Sequence, residues 1–411
     1  MVKKDECAST KMAENKLFDI ICISDAPFNY PLWTNKQHIM SRLAERGYRV
    51  LYVDPQLGFS GWLKWFLQGR LHFSDLFLWV KRKGKNLWLF SPILMPPRYR
   101  WGRRVNDFVR REGARLLARS MGIKDPILWI YHPNGVSFLG RMNERMVVYD
   151  CVDEYSAFPA YSSPQRKNEI ISNERKLLER ADIVFTTSMP LQEAKKKFNP
   201  NTYFVHNVAD VSHFSRAYYD ELPLPEDLKG IRKPAVGFIG ALDSYKVDFE
   251  LVSRAASSHP EWSIVLIGPV AEGDRSTSIE GIEAKENVHF LGLKLYRELP
   301  SYLKFFDVCI IPYRINDYTL YSFPLKVYEF LAAGKPVVAT DLPSLALTEL
   351  RDVLRIASGP EEFIKQIAEA LLENSSQAEK RVEVAQKNTW DHRIDRLLSI
   401  ITDRLSDPER R

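Results

Sequence analysis

FPLKVYEFLAAGKPVVAT, residues 323–340, decides how the rest of the chain is read. Pro324 suits the first turn of a helix, where its missing N–H would have no partner, and Gly334 suits the position just past the end, which wants positive φ. The spacing predicts a helix of about ten residues, followed at once by the buried strand PVVAT (336–340). Another apolar run, DVCIIP (307–312), precedes it, so the helix N-terminus falls at the carboxyl edge of a parallel sheet, where open α/β folds bind ligands. Unpaired N–H groups there favour an anion such as phosphate, and Lys326 adds a full positive charge. Glu329, three residues on, shares that face and can accept hydrogen bonds from vicinal hydroxyls such as those of a ribose. An ordinary Lys326–Glu329 surface pair, worth a few tenths of a kcal/mol, accounts for the same two residues, and the stretch alone leaves both readings open.

Outward from this unit, short apolar runs alternate with amphipathic stretches through most of the 411 residues. The first half has strand candidates at 19–24, 49–54, 86–92, 126–132, 146–151, 182–188 and 202–207; the second at 235–240, 263–268, 288–292, 307–312, 336–340 and 352–356. Such alternation predicts an α/β chain with two Rossmann-like, parallel-sheet domains. Pro223, Pro225 and Pro234 break the rhythm. The division expected is a disordered tail at 1–16, an N-terminal domain at 17–215, a linker at 216–234, a C-terminal domain at 235–385 and a last helix at 386–411.

Charge is unevenly spread. Residues 1–210 carry 33 Lys+Arg against 21 Asp+Glu, a surplus of +12, whereas 211–411 carry 25 against 31, or −6. Fifteen basic and three acidic residues lie between 61 and 124, interleaved with Trp62, Trp65, Phe66, Trp79, Trp88 and Trp101. Cations alternating with aromatics suit an anionic membrane surface; no nucleic-acid motif accompanies them. No apolar run approaches the roughly 20 residues that cross a bilayer. Cys7, Cys22, Cys151 and Cys309 have neither metal-ligand spacing nor disulfide density, which points to reducing cytosol and buried structural thiols.

A second site-like turn, VGFIGALDSYKVDFELV (236–252), ends a strand in Gly240 and Ala241 before a helix expected to start near Lys246 or Val247. Small residues there let backbone N–H groups approach a ligand, although plain turn geometry explains them too. Together with QHIMSRLAERGYRVLYVDP (37–55), VVYDCVDEYSAF (147–158), ADIVFTTS (181–188) and VHFLGLKLYRELPSYLKFFDVCIIPY (288–313), these stretches make the chain resemble GT-B glycosyltransferases of the family 4 type, particularly bacterial cell-surface polysaccharide enzymes of the teichuronic-acid kind. The resemblance implies two facing Rossmann-like domains, a C-terminal helix crossing back to the first, a nucleotide-sugar donor on the second and an acceptor on the first. Glu329 matches the glutamate that holds the donor ribose, Lys326 lies where a cation meets the diphosphate, and Gly240 and Ala241 match the loop under the phosphates. Lys246 and Ser322 complete the donor side.

Several positions depart from the family pattern. Tyr321 stands where a first glutamate is usual, Ala241 where an arginine is, Val247 where a lysine is, with Lys246 one place off, and HNVAD (206–210) lacks the usual glycine. Retaining stereochemistry therefore does not follow. An inverting transfer needs a base for the acceptor hydroxyl, and Asp153, in the loop after VVYDC, is the candidate, with Asp150 read as structural. Asp25 and His132, after the first and fourth strand runs, are lesser acceptor-side candidates. No metal-ligand cluster is visible, so no metal cofactor is expected. The sequence thus points to a cytoplasmic glycosyltransferase, peripheral on the inner membrane face, acting on a lipid-linked saccharide. The alternatives are an epimerase of nucleotide sugars on the same fold, which would need no acceptor and no basic membrane face, and a degenerate, non-catalytic binding protein, which would account for the missing residues.

Overall fold

In the computed structural model, which describes residues 18–30, 33–55, 57–58, 67, 79–94, 100–374 and 376–407, the apolar runs become strands with helices between them. The expected tail, Cys7 and the aromatics Trp62, Trp65 and Phe66 lie outside the described residues. The chain divides into two units, one of Met1–Phe28, Met40–Trp129 and Ser137–Met146, the other of Asn29–Ile39, Ile130–Val136 and Val147–Arg411.

The first unit holds β1 (Ile20–Ile23), β2 (Val50–Val53), β3 (Leu57–Gly58), β4 (Val80–Arg82), β5 (Leu87–Phe90), β6 (Ile93–Leu94) and β7 (Ile127–Ile130), with spatial order β7-β1-β2-β5-β4. β1, β2 and β5 pair in parallel, and β1 and β2 are buried throughout, which is why both read as unbroken apolar runs. β4 joins the edge antiparallel to β5; Val-Lys-Arg is largely exposed and has no apolar pattern to announce it. Helix Arg100–Ser120 buries Asn106, Arg110, Ala114 and Ala118. Arg110 donates from Nη2 to the Asp54 carbonyl at 3.0 Å and lies over the Phe138 ring, so it serves the fold. Burial lowers its pKa to about 10 and raises that of the Asp54 carboxyl to about 6.

The second unit holds β8 (Met146–Cys151), β9 (Ile183–Thr186) and β10 (Thr202–Phe204), paired in parallel, and a six-stranded sheet. That sheet comprises β11 (Ala235–Ile239), β12 (Ser263–Ile267), β13 (Val288–Gly292), β14 (Val308–Ile311), β15 (Val337–Thr340) and β16 (Arg355–Ala357), in the order β13-β12-β11-β14-β15-β16 and parallel throughout. The chain is an α/β protein with two Rossmann-like parallel-sheet domains. Strand order reverses between β11 and β14, and a crevice at such a switch point is where doubly wound sheets take ligands.

Three expectations change in detail. The helix after β14 is Lys326–Ala332, seven residues rather than ten, ending at Gly334 with φ +70°. Ahead of it the carbonyls of Tyr321, Ser322 and Phe323 accept from side chains, and the first backbone bonds run from Val327 N–H to the Pro324 carbonyl and from Glu329 N–H to that of Leu325. The helix after β11 starts at Phe249, not at 246 or 247, since Asp248 caps it by accepting from the N–H groups of Glu250 and Leu251. The C-terminal stretch is two helices, Ser376–Gln386 and Trp390–Ser406, broken where Thr389 caps the second. Cys22, Cys151 and Cys309 are buried, none in a disulfide, and burial pushes Cys309 up to about 12.

Candidate functional site

At the carboxyl ends of β11 and β12 two glycines face each other. Gly240 donates its N–H to the Ile267 carbonyl at 2.8 Å, while Gly268 has φ +146° and comes so close that a Cβ on it would lie 1.8 Å from the Gly240 oxygen. Only glycine permits that approach. Both line a cleft of about 270 Å³, of the order of the roughly 300–1,000 Å³ typical of small-molecule sites.

Seven of the nine sequence-derived candidates line this cleft: Asp153, Gly240, Ala241, Lys246, Ser322, Lys326 and Glu329. Lys326 Nζ lies 2.6 Å from Glu329 Oε2, and the carboxylate is 8 % exposed, so the two readings of this pair merge: it is an ion pair, and it lies inside the cleft. Lys246 holds its ammonium over the rings of Tyr313 and Tyr318, 5.4 and 5.8 Å from their centroids. Tyr318 meets Tyr245 and Phe158 edge-on at 5.2 and 4.8 Å, which makes one side of the site aromatic.

Asp153 follows β8 on a loop fixed from both sides. Tyr155 donates its hydroxyl to the Tyr131 carbonyl at 2.7 Å, and Glu154 accepts from Lys195, which also binds Glu174, both at 2.7 Å. Burial works against ionised Glu154, but Lys195 holds it below the usual carboxylate range. Asp150 is wholly buried in β8.

Asp25 and His132 do not line the cleft. Asp25 belongs to the first unit. His132 is engaged at both nitrogens, accepting the Asn134 N–H at Nδ1 and facing the Tyr161 hydroxyl at 2.8 Å from Nε2.

Four lysines, Lys36, Lys246, Lys294 and Lys326, stand around the cleft against two carboxylates, Asp153 and Glu329, a balance that suits an anionic ligand. Lys294 is tied to Asp227 at 2.5 Å. Among the described residues, no group of three or more His, Cys, Asp or Glu is arranged to hold a metal ion.

Sequence reasoning missed Gly268, Asn207, Tyr318 and the cleft lysines Lys36 and Lys294. Gly268 had a signal: SIVLIG ends in glycine one strand over from AVGFIG. The others come together only through tertiary contacts.

The profile of the family described as glycosyl transferases group 1 matches residues 233–374. Over 315 residues, 73% of this chain and 78% of the relative, the sequence is 30% identical to TuaH of Bacillus subtilis, a protein assigned to teichuronic acid biosynthesis as a glycosyltransferase. Among solved structures, sucrose-phosphate synthase from Thermosynechococcus elongatus is similar with a TM-score of 0.70 at 17% identity, covering 94% of this chain and 98% of that one. Anabaena HepE in complex with UDP and glucose is similar with a TM-score of 0.63 at 14% identity, covering 93% and 99%. At these identities the solved structures share the fold.

Proposed function

The chain belongs to the group 1 glycosyltransferases, enzymes of the GT-B fold, and from that premise we propose that its cleft takes a nucleoside-diphosphate sugar and passes the sugar to a lipid-linked saccharide during cell-surface polysaccharide assembly. UDP in the HepE complex supports the donor class, and the assignment of TuaH to teichuronic acid biosynthesis supports a role in polysaccharide assembly. In this reading Glu329 accepts the ribose hydroxyls. The diphosphate lies over Gly240, Ala241 and Gly268, where backbone can approach it, with Ser322 beside it.

As the bond from the anomeric carbon to the phosphate oxygen breaks, negative charge grows on the diphosphate. Lys246 and Lys326, already held in the cleft, stabilise that charge with no metal cofactor; an ammonium has three donors, so Lys326 can keep Glu329 and still meet phosphate. If the transfer inverts, Asp153 takes the proton of the acceptor hydroxyl as its oxygen bonds to the anomeric carbon. The enzyme would work in the cytoplasm, peripheral on the inner face of the membrane, with the basic region 61–124 toward anionic lipid.

One observation carries the proposal: seven side chains or turns picked out separately along the sequence surround one lysine-rich cleft at the switch point of a parallel sheet. Lys326→Ala and Glu329→Gln should each lower donor turnover by more than about tenfold when assayed well below the melting temperature of each variant. Full activity in either variant refutes the donor site.

A further inference from the structure

Three consecutive carbonyls ahead of helix Lys326–Ala332 are each held by a side chain from a different part of the chain. Ser188 Oγ donates to Tyr321 O at 2.6 Å, Ser344 Oγ to Ser322 O at 2.7 Å, and Asn207 Nδ2 to Phe323 O at 2.8 Å. All three donors are buried, at 0, 2 and 6 % exposure. Asn207 is engaged at its other end as well, where Oδ1 accepts from Asn35 Nδ2 at 2.6 Å and from Arg393 Nη1 at 3.2 Å. Its one amide thus joins the start of helix Asn35–Glu45, the C-terminal helix and the strand-to-helix segment that carries Lys326.

We infer that Ser188, Asn207 and Ser344 act together as positioning residues for the donor, an inference that rests on the donor-site reading above. A carbonyl turned into the protein fixes the peptide plane that follows it, so three in succession set the course of the backbone from Tyr321 to Pro324, from which the turn to Lys326 departs. Residues Ser322 to Lys326 line the cleft. Holding them in place before the ligand arrives spares the entropy of ordering a loop on binding, which would otherwise be subtracted from affinity.

Ser344→Ala and Asn207→Asp test this in the full chain. Ser344 is not among the cleft-lining residues, and its variant removes one hydroxyl without adding charge. Asn207→Asp is isosteric and sets a carboxylate oxygen against the Phe323 carbonyl, while the buried Arg393 offsets the new charge. The probe is whichever of UDP, GDP and dTDP raises the melting temperature of the unaltered protein. Binding is measured well below the melting temperature of each variant, at 0.1 M salt and again at 1 M.

Each variant should bind the nucleotide about tenfold more weakly, the order of one hydrogen bond to a buried group, and equally so at both salt concentrations. Unchanged affinity in Ser344→Ala overturns the inference. So does recovery of Asn207→Asp at high salt, since simple charge repulsion is screened there. Should Asn207→Asp fail to fold, Ser344→Ala decides alone. If no nucleotide binds the unaltered protein, the donor-site reading itself falls, and this inference with it.

Discussion

His206 stacks on the rings of Phe323 and Tyr328, with centroids 5.6 and 5.4 Å away, so its imidazole supports the segment that delivers Lys326 and Glu329. Burial holds its pKa below the usual 6.5, against smaller raising effects from the Asn207 carbonyl and Glu349. A histidine kept neutral in the fold stabilises fully above its unfolded pKa, and that part is lost as pH falls toward the depressed folded value, because the unfolded chain then binds the extra proton. The melting temperature should accordingly drop more steeply in the unaltered protein than in His206→Gln as pH is lowered below about 6.5. Parallel curves would mean that the stack tolerates the imidazolium. Lys326 and Glu329 were legible as a pair because helical spacing alone brings i and i+3 together. His206 was not, because its two ring neighbours lie more than a hundred residues further along the chain.

At the scale of elements, fully buried strands announce themselves. Every strand candidate read from an apolar run corresponds to a strand, whereas the two-residue β3 and β6 were too short to read and β4 escaped because an edge strand needs no apolar face. Helix starts were harder to place: Asp248 caps the helix after β11, and the side chains that bind the carbonyls of residues 321–323 ahead of Lys326 come from remote sequence. The β11–β12 pair yields a direct test of the cleft. Its two glycine turns meet edge to edge, and Gly268→Ala would drive a methyl group into the Gly240 carbonyl while holding alanine at a strained φ of +146°. We expect a stability loss of about 1–3 kcal/mol and nucleotide binding weakened beyond what the stability change explains, because relief must push the Gly240 turn into the space assigned to phosphate. Denaturant unfolding and nucleotide titration of the same preparation separate the two effects. Unimpaired binding would show that phosphate does not sit over this pair.

Across the whole molecule, charge separates along the sequence: the acidic half carries a cleft with three of its four lysines, while the surplus of positive charge lies in the first half. Helix Arg100–Ser120 displays it. Arg104, Val105, Phe108, Arg111, Leu116 and Arg119 fall on one stripe, with Val105, Phe108 and Leu116 at 41, 57 and 59 % exposure and the Arg111 guanidinium over the Phe108 ring. Exposed apolar side chains set among arginines are what an interfacial helix presents to anionic lipid. No helix among the described residues is long and apolar enough to cross a bilayer; attachment carried by the arginines of this stripe would be sensitive to salt. Arg110 belongs to the same basic run in the sequence but is buried against Asp54 and Phe138, and Arg111 is paired with Glu112 at 3.2 Å, whereas Arg104 and Arg119 are exposed. Vesicles of phosphatidylglycerol should pellet the protein at 0.1 M salt and release most of it at 1 M, while phosphatidylcholine vesicles should not hold it. Replacing Arg104, Arg111 and Arg119 together by glutamine should weaken that partition about a hundredfold, at roughly 1 kcal/mol for each cation near the surface. Equal pelleting with both lipids would leave the arginines without a membrane role, and absence of pelleting with either would place the acceptor encounter away from a lipid surface.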